Sequence, residues 1–276
     1  MAKITAADVK KLRDLTGAGM MDCKKALAAT DGDLDAAVTE LRKTGQKVSA
    51  KRADREATEG AVIAKVAPNK RRGVIVRLSC ETDFVAKNAD FVKMAEDFAQ
   101  IALDVNPSSR EELLNQPYQG VTIGEKVIEQ NGVIGEKIDL SAYETLEAPI
   151  VAPYIHMGNR AAVLVGLSQD NEAYYDAGRD VAMQVAAMHP IAVDKDGVDA
   201  TTVEKEIEIG MEQARQDGKP EEMLERIAKG KLNKFYKERT LLNQQFVKDG
   251  KKSVADYLHT QDKNLTVTDF KHVKLG

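Results

Sequence analysis

The run Ala61-Val-Ile-Ala-Lys-Val66 is followed, after Pro68-Asn69-Lys70, by Val74-Ile-Val-Arg-Leu78. Both runs are rich in β-branched residues, and the Pro and Asn between them favour a tight turn. This stretch therefore predicts a β-hairpin. Downstream, residues 91–103 carry apolar side chains at helical spacing, so the hairpin is expected to be followed by an amphipathic helix.

The same order of elements occurs again later in the chain. Residues 150–157 and 161–167 are apolar runs separated by Gly158-Asn159, and residues 174–188 have a helical period that ends at His189-Pro190. A hairpin followed by a helix thus occurs twice. The repetition predicts an α+β fold with a core of two related halves, each an antiparallel sheet covered by helices.

Other segments complete these two halves. A narrow apolar seam with charged flanks marks residues 202–215 and 221–237, which predict an antiparallel helical hairpin that protrudes from the second half. The remaining predicted elements are, in chain order, a helix at 122–130, a strand at 136–146, a helix at 253–258 and a strand at 266–273.

The first 55 residues predict a compact helical unit. Three short helices are expected, at residues 5–15, 20–29 and 33–43, with glycines in Thr16-Gly-Ala-Gly19 ending the first. The basic stretch 42–55 contains few apolar residues and is interpreted as a helix tail and linker. The predicted domains are residues 1–55, 56–147 and 148–276, with the helical hairpin at about 200–239 in the last.

Composition excludes several classes of protein. The net charge of −4 gives no overall basic field for nucleic acid. The sequence has no run of about twenty apolar residues, so no membrane span is predicted. The N-terminus becomes polar at once and does not resemble a secretory signal. Cys23 and Cys80 are too far apart in the sequence for metal-ligand spacing, so we expect reduced thiols and a cytoplasmic protein.

The motifs of catalysis are absent from the sequence. No phosphate-binding GxxxxGKS/T loop occurs, and the four histidines are scattered without an HExxH arrangement. Cys80 lies next to Glu81 and close to Asp83, and nearby negative charge raises a thiol pKa, so a nucleophile is not expected there. The sequence therefore predicts a protein that is not an enzyme, needs no cofactor or metal, and works by contact.

Two apolar pairs in polar surroundings are candidates for that contact. Thr82-Asp-Phe-Val85 follows the second predicted strand, and Phe84 either folds back into the core or projects outward to a partner. Met20 and Met21 are adjacent in a predicted helix, where successive residues lie about 100° apart. One of them is then expected in the core and the other near the surface, although exposed methionine also suits protein partners.

Two longer segments resemble the signatures of a known family. Leu12-Arg-Asp-Leu-Thr-Gly-Ala-Gly-Met-Met-Asp-Cys-Lys-Lys-Ala-Leu27 and Cys80-Glu-Thr-Asp-Phe-Val-Ala-Lys87 are similar to the two motifs of the bacterial elongation factor Ts family. The order of parts also agrees with that family, in which a ubiquitin-associated-like helical domain precedes a core of two related halves with an inserted helical hairpin. The resemblance covers essentially the whole chain.

The resemblance implies guanine nucleotide exchange on GDP-bound elongation factor Tu, in a heterodimer or a larger assembly, without direct nucleic-acid or membrane binding. In the family, the loop that matches Thr82, Asp83, Phe84 and Val85 dislodges the Mg²⁺ of the GTPase, and the Phe enters between two of its helices. The family's helical domain contacts another helix of the GTPase, and the residues of this chain that match the contact are Arg13, Met20 and Met21. A further contact is matched by His156.

The chain departs from the family pattern in two places. Arg77 and Ser79 stand where the family usually has an acidic residue and an Asn, a difference that affects the strand and not the loop. After Lys271-His-Val-Lys-Leu-Gly276, better-known members continue into a C-terminal helix that meets the partner. The resemblance therefore leaves open any contact from such a helix.

Two other functions are compatible with parts of the sequence. A ubiquitin-associated-like adaptor would tether elongation factor Tu without changing GDP release. An RNA-binding protein would use the basic stretch from Lys43 to Arg55 together with the basic part of the helical hairpin, and its affinity would depend steeply on salt. A solvated charged face is the more ordinary reason for such a stretch.

Overall fold

The computed structural model describes residues 4–276, so the first three residues of the polar N-terminus lie outside the described range. Three helices come first: α1 (Ala6–Thr16), α2 (Met20–Ala29) and α3 (Leu34–Lys51). Thr5 and Asp8 form a reciprocal capping box at the start of α1, and Gly17 ends it with a φ of 70°. The three predicted helices are thereby confirmed, and the third also takes in most of the basic stretch.

The first half of the core begins with the predicted hairpin. Its elements are β1 (Glu59–Val66), β2 (Arg72–Cys80), α4 (Asp83–Ala86), α5 (Ala89–Val105), α6 (Arg110–Leu114), β3 (Pro117–Tyr118), β4 (Val121–Thr122), α7 (Ile123–Ile134) and β5 (Asp139–Glu147). The main sheet is antiparallel in the order β1-β2-β5, and Ile63 lies opposite Val76 in its register.

The second half repeats this topology. Its elements are β6 (Ile150–Ile155), β7 (Ala161–Leu167), α8 (Tyr175–Met188), α9 (Ala200–Gln216), α10 (Glu221–Arg239), β8 (Gln245–Phe246), β9 (Asp249–Ser253), α11 (Val254–His259) and β10 (Val267–Lys274). Its antiparallel sheet has the order β6-β7-β10, so in both halves the last strand pairs with the second strand of the hairpin. The α+β fold of two related halves is confirmed.

The two sheets pack face to face, with helices on their outer sides. Alternate residues of β1 point to opposite faces: Ile63 packs in a core with α5, whereas Val62 packs in the layer between the sheets. Gly73 permits the close approach of the sheets, because a Cβ there would lie 2.8 Å from Leu164 Cδ2. Burial on both faces accounts for the continuous apolar runs, which are unusual for antiparallel strands.

Helices α9 and α10 form the predicted antiparallel hairpin. The seam is tight at Gly210, where a Cβ would lie 3.1 Å from Ala228 Cα, and Ala214 and Leu224 are buried towards the turn. The predicted seam is therefore confirmed.

The helices of residues 4–276 include none with the length and apolar character of a membrane span.

The helical unit is joined to the core through a close crossing of α3 and α7. A Cβ on Gly45 would lie 2.7 Å from the Ile128 carbonyl oxygen, and one on Gly132 would lie 2.8 Å from Gly45 Cα. Arg42 adds an ion pair with Glu129 at 2.8 Å. Because the backbones touch, α7 fixes where the helical unit sits, although the division into domains at residues 55 and 147 stays a prediction.

Candidate partner-binding site

The segment predicted as a loop around Phe84 is a single helical turn, α4. Thr82 precedes it in extended conformation, and its hydroxyl accepts a hydrogen bond from the Val85 N–H at 3.5 Å. A Thr followed by an acidic residue is a capping signal, so the sequence of this segment already favours a helical turn. The turn begins as soon as β2 ends, so its orientation follows from the sheet.

Phe84 and Val85 point in different directions from this turn. Val85 is partly buried and packs on the core of the first half, together with Ala86. The Phe84 side chain is 83% exposed. Of the two possibilities left open by the sequence, the outward orientation is the one observed.

Glu81, the residue before Thr82, has three hydrogen-bond donors around its carboxylate. It accepts hydrogen bonds from the Lys137 N–H at 2.7 Å, from Arg52 Nη1 at 2.6 Å and from Arg55 Nη1 at 3.0 Å. Burial acts to raise the pKa of Glu81, but these donors outweigh it and lower the pKa to about 2, from an ordinary value of 4.5. The carboxylate is therefore ionised in the folded protein at any physiological pH.

Glu81→Gln is expected to lower the free energy of unfolding by about 1–2 kcal/mol at pH 7, because hydrogen bonds to a charged group are lost. The pKa of Glu81 is depressed on folding, so this stabilisation is complete above pH 4.5 and disappears as the pH falls towards 2. Urea denaturation should show that the difference in the free energy of unfolding between variant and wild type is smaller at pH 3.5 than at pH 7.

The matched control is Glu225→Gln, which removes an exposed ion pair with Lys229 within one helix. Its effect on the free energy of unfolding at pH 7 should be much smaller than that of Glu81→Gln, because exposed ion pairs contribute little to stability. A deficit for Glu81→Gln that is the same at both pH values would contradict the assignment of the stabilisation to the ionised carboxylate.

The predicted contact residues of the helical unit are all on its surface. Met20 is 49% exposed and Met21 63%, while Cys23 and Leu27 of the same helix are buried. The expectation that one methionine enters the core was wrong, since the inward face of α2 is already set by its later residues. Arg13 is exposed on α1.

An open cleft of about 800 Å³ separates the helical unit from the Phe84 turn. It is lined by Leu15 and Gly17 at the end of α1, by Phe84, and by Tyr118 and Gln130 among other residues. Leu15 is 63% exposed and was not singled out from the sequence. Arg13, Met20 and Met21 lie outside this cleft, on the surface beyond it.

His156 lies in the turn between β6 and β7. Its Nδ1 is 3.3 Å from the Tyr154 hydroxyl, and the next residue, Met157, is 87% exposed. The same turn is tied to β1 by an ion pair of 3.0 Å between Arg160 and Glu59, and Glu59 lies opposite Cys80 in the sheet. The turn therefore sits at the end of the sheets from which the Phe84 turn emerges.

Cys80 takes no part in this surface. Its side chain is fully buried, and burial, with Glu136 and Glu59 nearby, raises its pKa to about 12. The predicted direction is confirmed, although burial and not Glu81 is the main cause. Within residues 4–276 no group of three or more His, Cys, Asp or Glu side chains could hold a metal ion.

Comparison with known proteins gives a consistent family. The family model described as Elongation factor TS matches residues 81–276. Elongation factor Ts of Christiangramia forsetii is 56% identical over 276 residues, covering all of both chains, and that of Flavobacterium psychrophilum is 54% identical with the same coverage. Elongation factor Ts of Chloroherpeton thalassium is 44% identical, covering 97% of this chain and 95% of that protein. The chain belongs to the elongation factor Ts family, whose members are translation elongation factors.

Proposed function

We propose that the chain is a guanine nucleotide exchange factor for elongation factor Tu, and that it promotes GDP release by disturbing the Mg²⁺ site of that GTPase with residues Thr82–Val85. One observation carries the proposal: the Phe84 ring is 83% exposed on a short turn at the rim of a large cleft. An aromatic side chain that becomes buried contributes strongly to the energy of a protein interface, so an exposed ring on a defined turn offers a partner a favourable contact. Family membership identifies the partner class.

The proposed reaction makes and breaks no covalent bond, and the chain acts without a cofactor of its own. Mg²⁺ bound to GDP and to the GTPase demands near-ideal octahedral geometry, so small displacements of its ligands are costly. A rigid ring inserted between two helices of the GTPase displaces the elements that hold those ligands. Asp83, the first residue of the turn, forms an ion pair of 2.6 Å with Lys87.

The energetics require more than the ring. Weakening GDP a thousandfold takes about 4 kcal/mol, and burying one Phe supplies about 2–3 kcal/mol. The exposed Met20 and Met21, with Arg13 on the same helical unit, would supply the remainder by gripping another helix of the GTPase. Since the two binding free energies are linked, GDP must weaken the binding of the factor to elongation factor Tu by the same ratio.

The second hairpin offers one more contact. His156 and its neighbour Met157 are exposed at the end of the sheets that carries Phe84, so one partner surface could cover both. The proposed complex is a heterodimer or a larger assembly with GDP-bound elongation factor Tu, in the bacterial cytoplasm where translation takes place.

Stopped-flow release of fluorescent GDP from elongation factor Tu, with and without the chain, tests the proposal directly. The release rate is expected to rise at least about a hundredfold and to saturate with factor concentration, as a coupling of a few kcal/mol requires. Tight binding of the chain without any change in the GDP release rate would instead support the adaptor and overturn the exchange function.

A further inference from the structure

A single carboxylate, that of Glu136, holds the start of the Phe84 turn. Its Oε2 accepts hydrogen bonds from the N–H groups of Glu81 and Thr82, both at 3.1 Å, and its Oε1 accepts one from the Thr82 hydroxyl at 2.7 Å. Glu136 lies between α7 and β5, so it reaches the turn across 54 residues of sequence. Three donors on two successive residues leave the start of α4 little rotational freedom.

A second set of contacts holds the same point from the opposite side. Glu81 is bonded to Arg52 and Arg55, which follow α3, and the Lys137 ammonium group donates to the carbonyl oxygens of Ala53 at 2.6 Å and Arg55 at 2.8 Å. The stretch after the helical unit, the Phe84 turn and the α7–β5 connection are thus joined around two neighbouring glutamates. The network meets the proposed contact segment at its first residue, Thr82.

The Phe84 ring has no such support of its own. With 83% of it exposed, its direction is set by the backbone of the turn and not by packing of the ring. A binding group that is already oriented loses less conformational entropy on association than one that must be ordered. The contacts that fix the start of α4 therefore increase the net free energy that the ring contributes on binding a partner.

We propose that Glu136, acting with Glu81, is a positioning residue that keeps Phe84 oriented for insertion into the GTPase. The inference rests on the proposed exchange function. Glu136 would then affect the efficiency of exchange without contacting the partner. It also makes Arg52 and Arg55 the link through which the stretch after the helical unit supports the turn.

Glu136→Ala is expected to lower the maximal rate of stimulated GDP release about 5- to 30-fold. The factor concentration that gives half of the maximal rate should change less than about threefold, because Arg13, Met20 and Met21 are untouched. Glu136→Gln keeps one acceptor oxygen for the Thr82 hydroxyl or the N–H groups, so its maximal rate should be at least partly restored.

A double-mutant cycle separates positioning from a general structural role. If Glu136 acts through Phe84, the variant carrying both Glu136→Ala and Phe84→Ala should release GDP within about twofold of Phe84→Ala alone. If the two side chains act independently, the two reductions multiply. Arg42→Gln is the matched control, because it breaks an ion pair of 2.8 Å at the α3–α7 contact without touching the turn, and it should change the rate less than twofold.

The outcomes are distinguishable. Multiplying reductions, or an unchanged rate in Glu136→Ala while Phe84→Ala is slow, would overturn the positioning role and leave the exchange function standing. An unchanged rate in Phe84→Ala would overturn the role of the ring and the positioning role with it. Should Glu136→Ala fail to fold, judged by its melting curve, the same cycle run with Glu81→Gln, which weakens the other half of the network, decides between the two outcomes.

Discussion

Phe84→Ala is expected to slow the stimulated release of GDP from elongation factor Tu by about 30- to 150-fold. The ring is 83% exposed in the free chain, so its full burial in the partner is available to the complex. Burying a Phe side chain is worth about 2–3 kcal/mol, which corresponds to this factor in rate if the contact is made only as the Mg²⁺ site is distorted. Stopped-flow fluorescence of labelled GDP measures it.

The same substitution should leave the fold intact. An exposed side chain contributes little to stability, so the melting temperature is expected to stay within about 2 °C of the wild type. Val105→Ala is the matched control, since Val105 is 49% exposed at the far end of the 17-residue helix α5. An exchange rate that falls equally in both variants would show that the loss is not specific to the Phe84 turn.

Gly45→Ala is expected to lower the free energy of unfolding by about 2–3 kcal/mol, and the melting temperature by about 4–12 °C. The added Cβ would lie 2.7 Å from the Ile128 carbonyl oxygen and 3.4 Å from Glu129 Cα. Both are backbone atoms of α7, so no side chain can rotate away and the two helices must separate. Differential scanning calorimetry measures the effect.

Gly230→Ala makes the same chemical change on α10 with the opposite expected sign. No atom lies within 4 Å of the Cβ position there, so the variant gains the helix propensity of Ala, about 0.5–1 kcal/mol. A Gly45→Ala protein that melts at or above the wild-type temperature would mean that the α3–α7 crossing is looser than the backbone contacts indicate.

Most of the fold could be predicted from local patterns. The hairpin at 61–78 and its counterpart at 150–167 have continuous apolar runs and turn residues, and both are observed as strands with the expected turns. The helices were predicted from periodicity and from caps such as Thr5. The apolar runs did not reveal that the inner face of each sheet packs against the other sheet. A continuous apolar run indicates a strand buried on both faces but does not identify the elements that cover it.

The supports of the candidate site could not be predicted. Glu81 meets Arg52 across 29 residues, and Glu136 meets Thr82 across 54. Charged residues at such separations have no spacing rule that pairs them, unlike residues three or four apart on a helix. For the same reason the basic stretch after residue 42 was interpreted as linker or solvated surface, whereas its arginines Arg42, Arg52 and Arg55 pair with acidic residues of the core.

The insertion of α9 and α10 between β7 and β10 has a consequence for synthesis on the ribosome. Strand β7 ends at Leu167 and β10 begins at Val267, so about 100 residues must be added before the second sheet can gain its third strand. At about 5–20 residues per second, that interval lasts about 5–20 s. During that interval the outer edge of β7 has unpaired backbone groups, which are free to pair with a strand of another chain, so the nascent protein is most prone to aggregate at this stage.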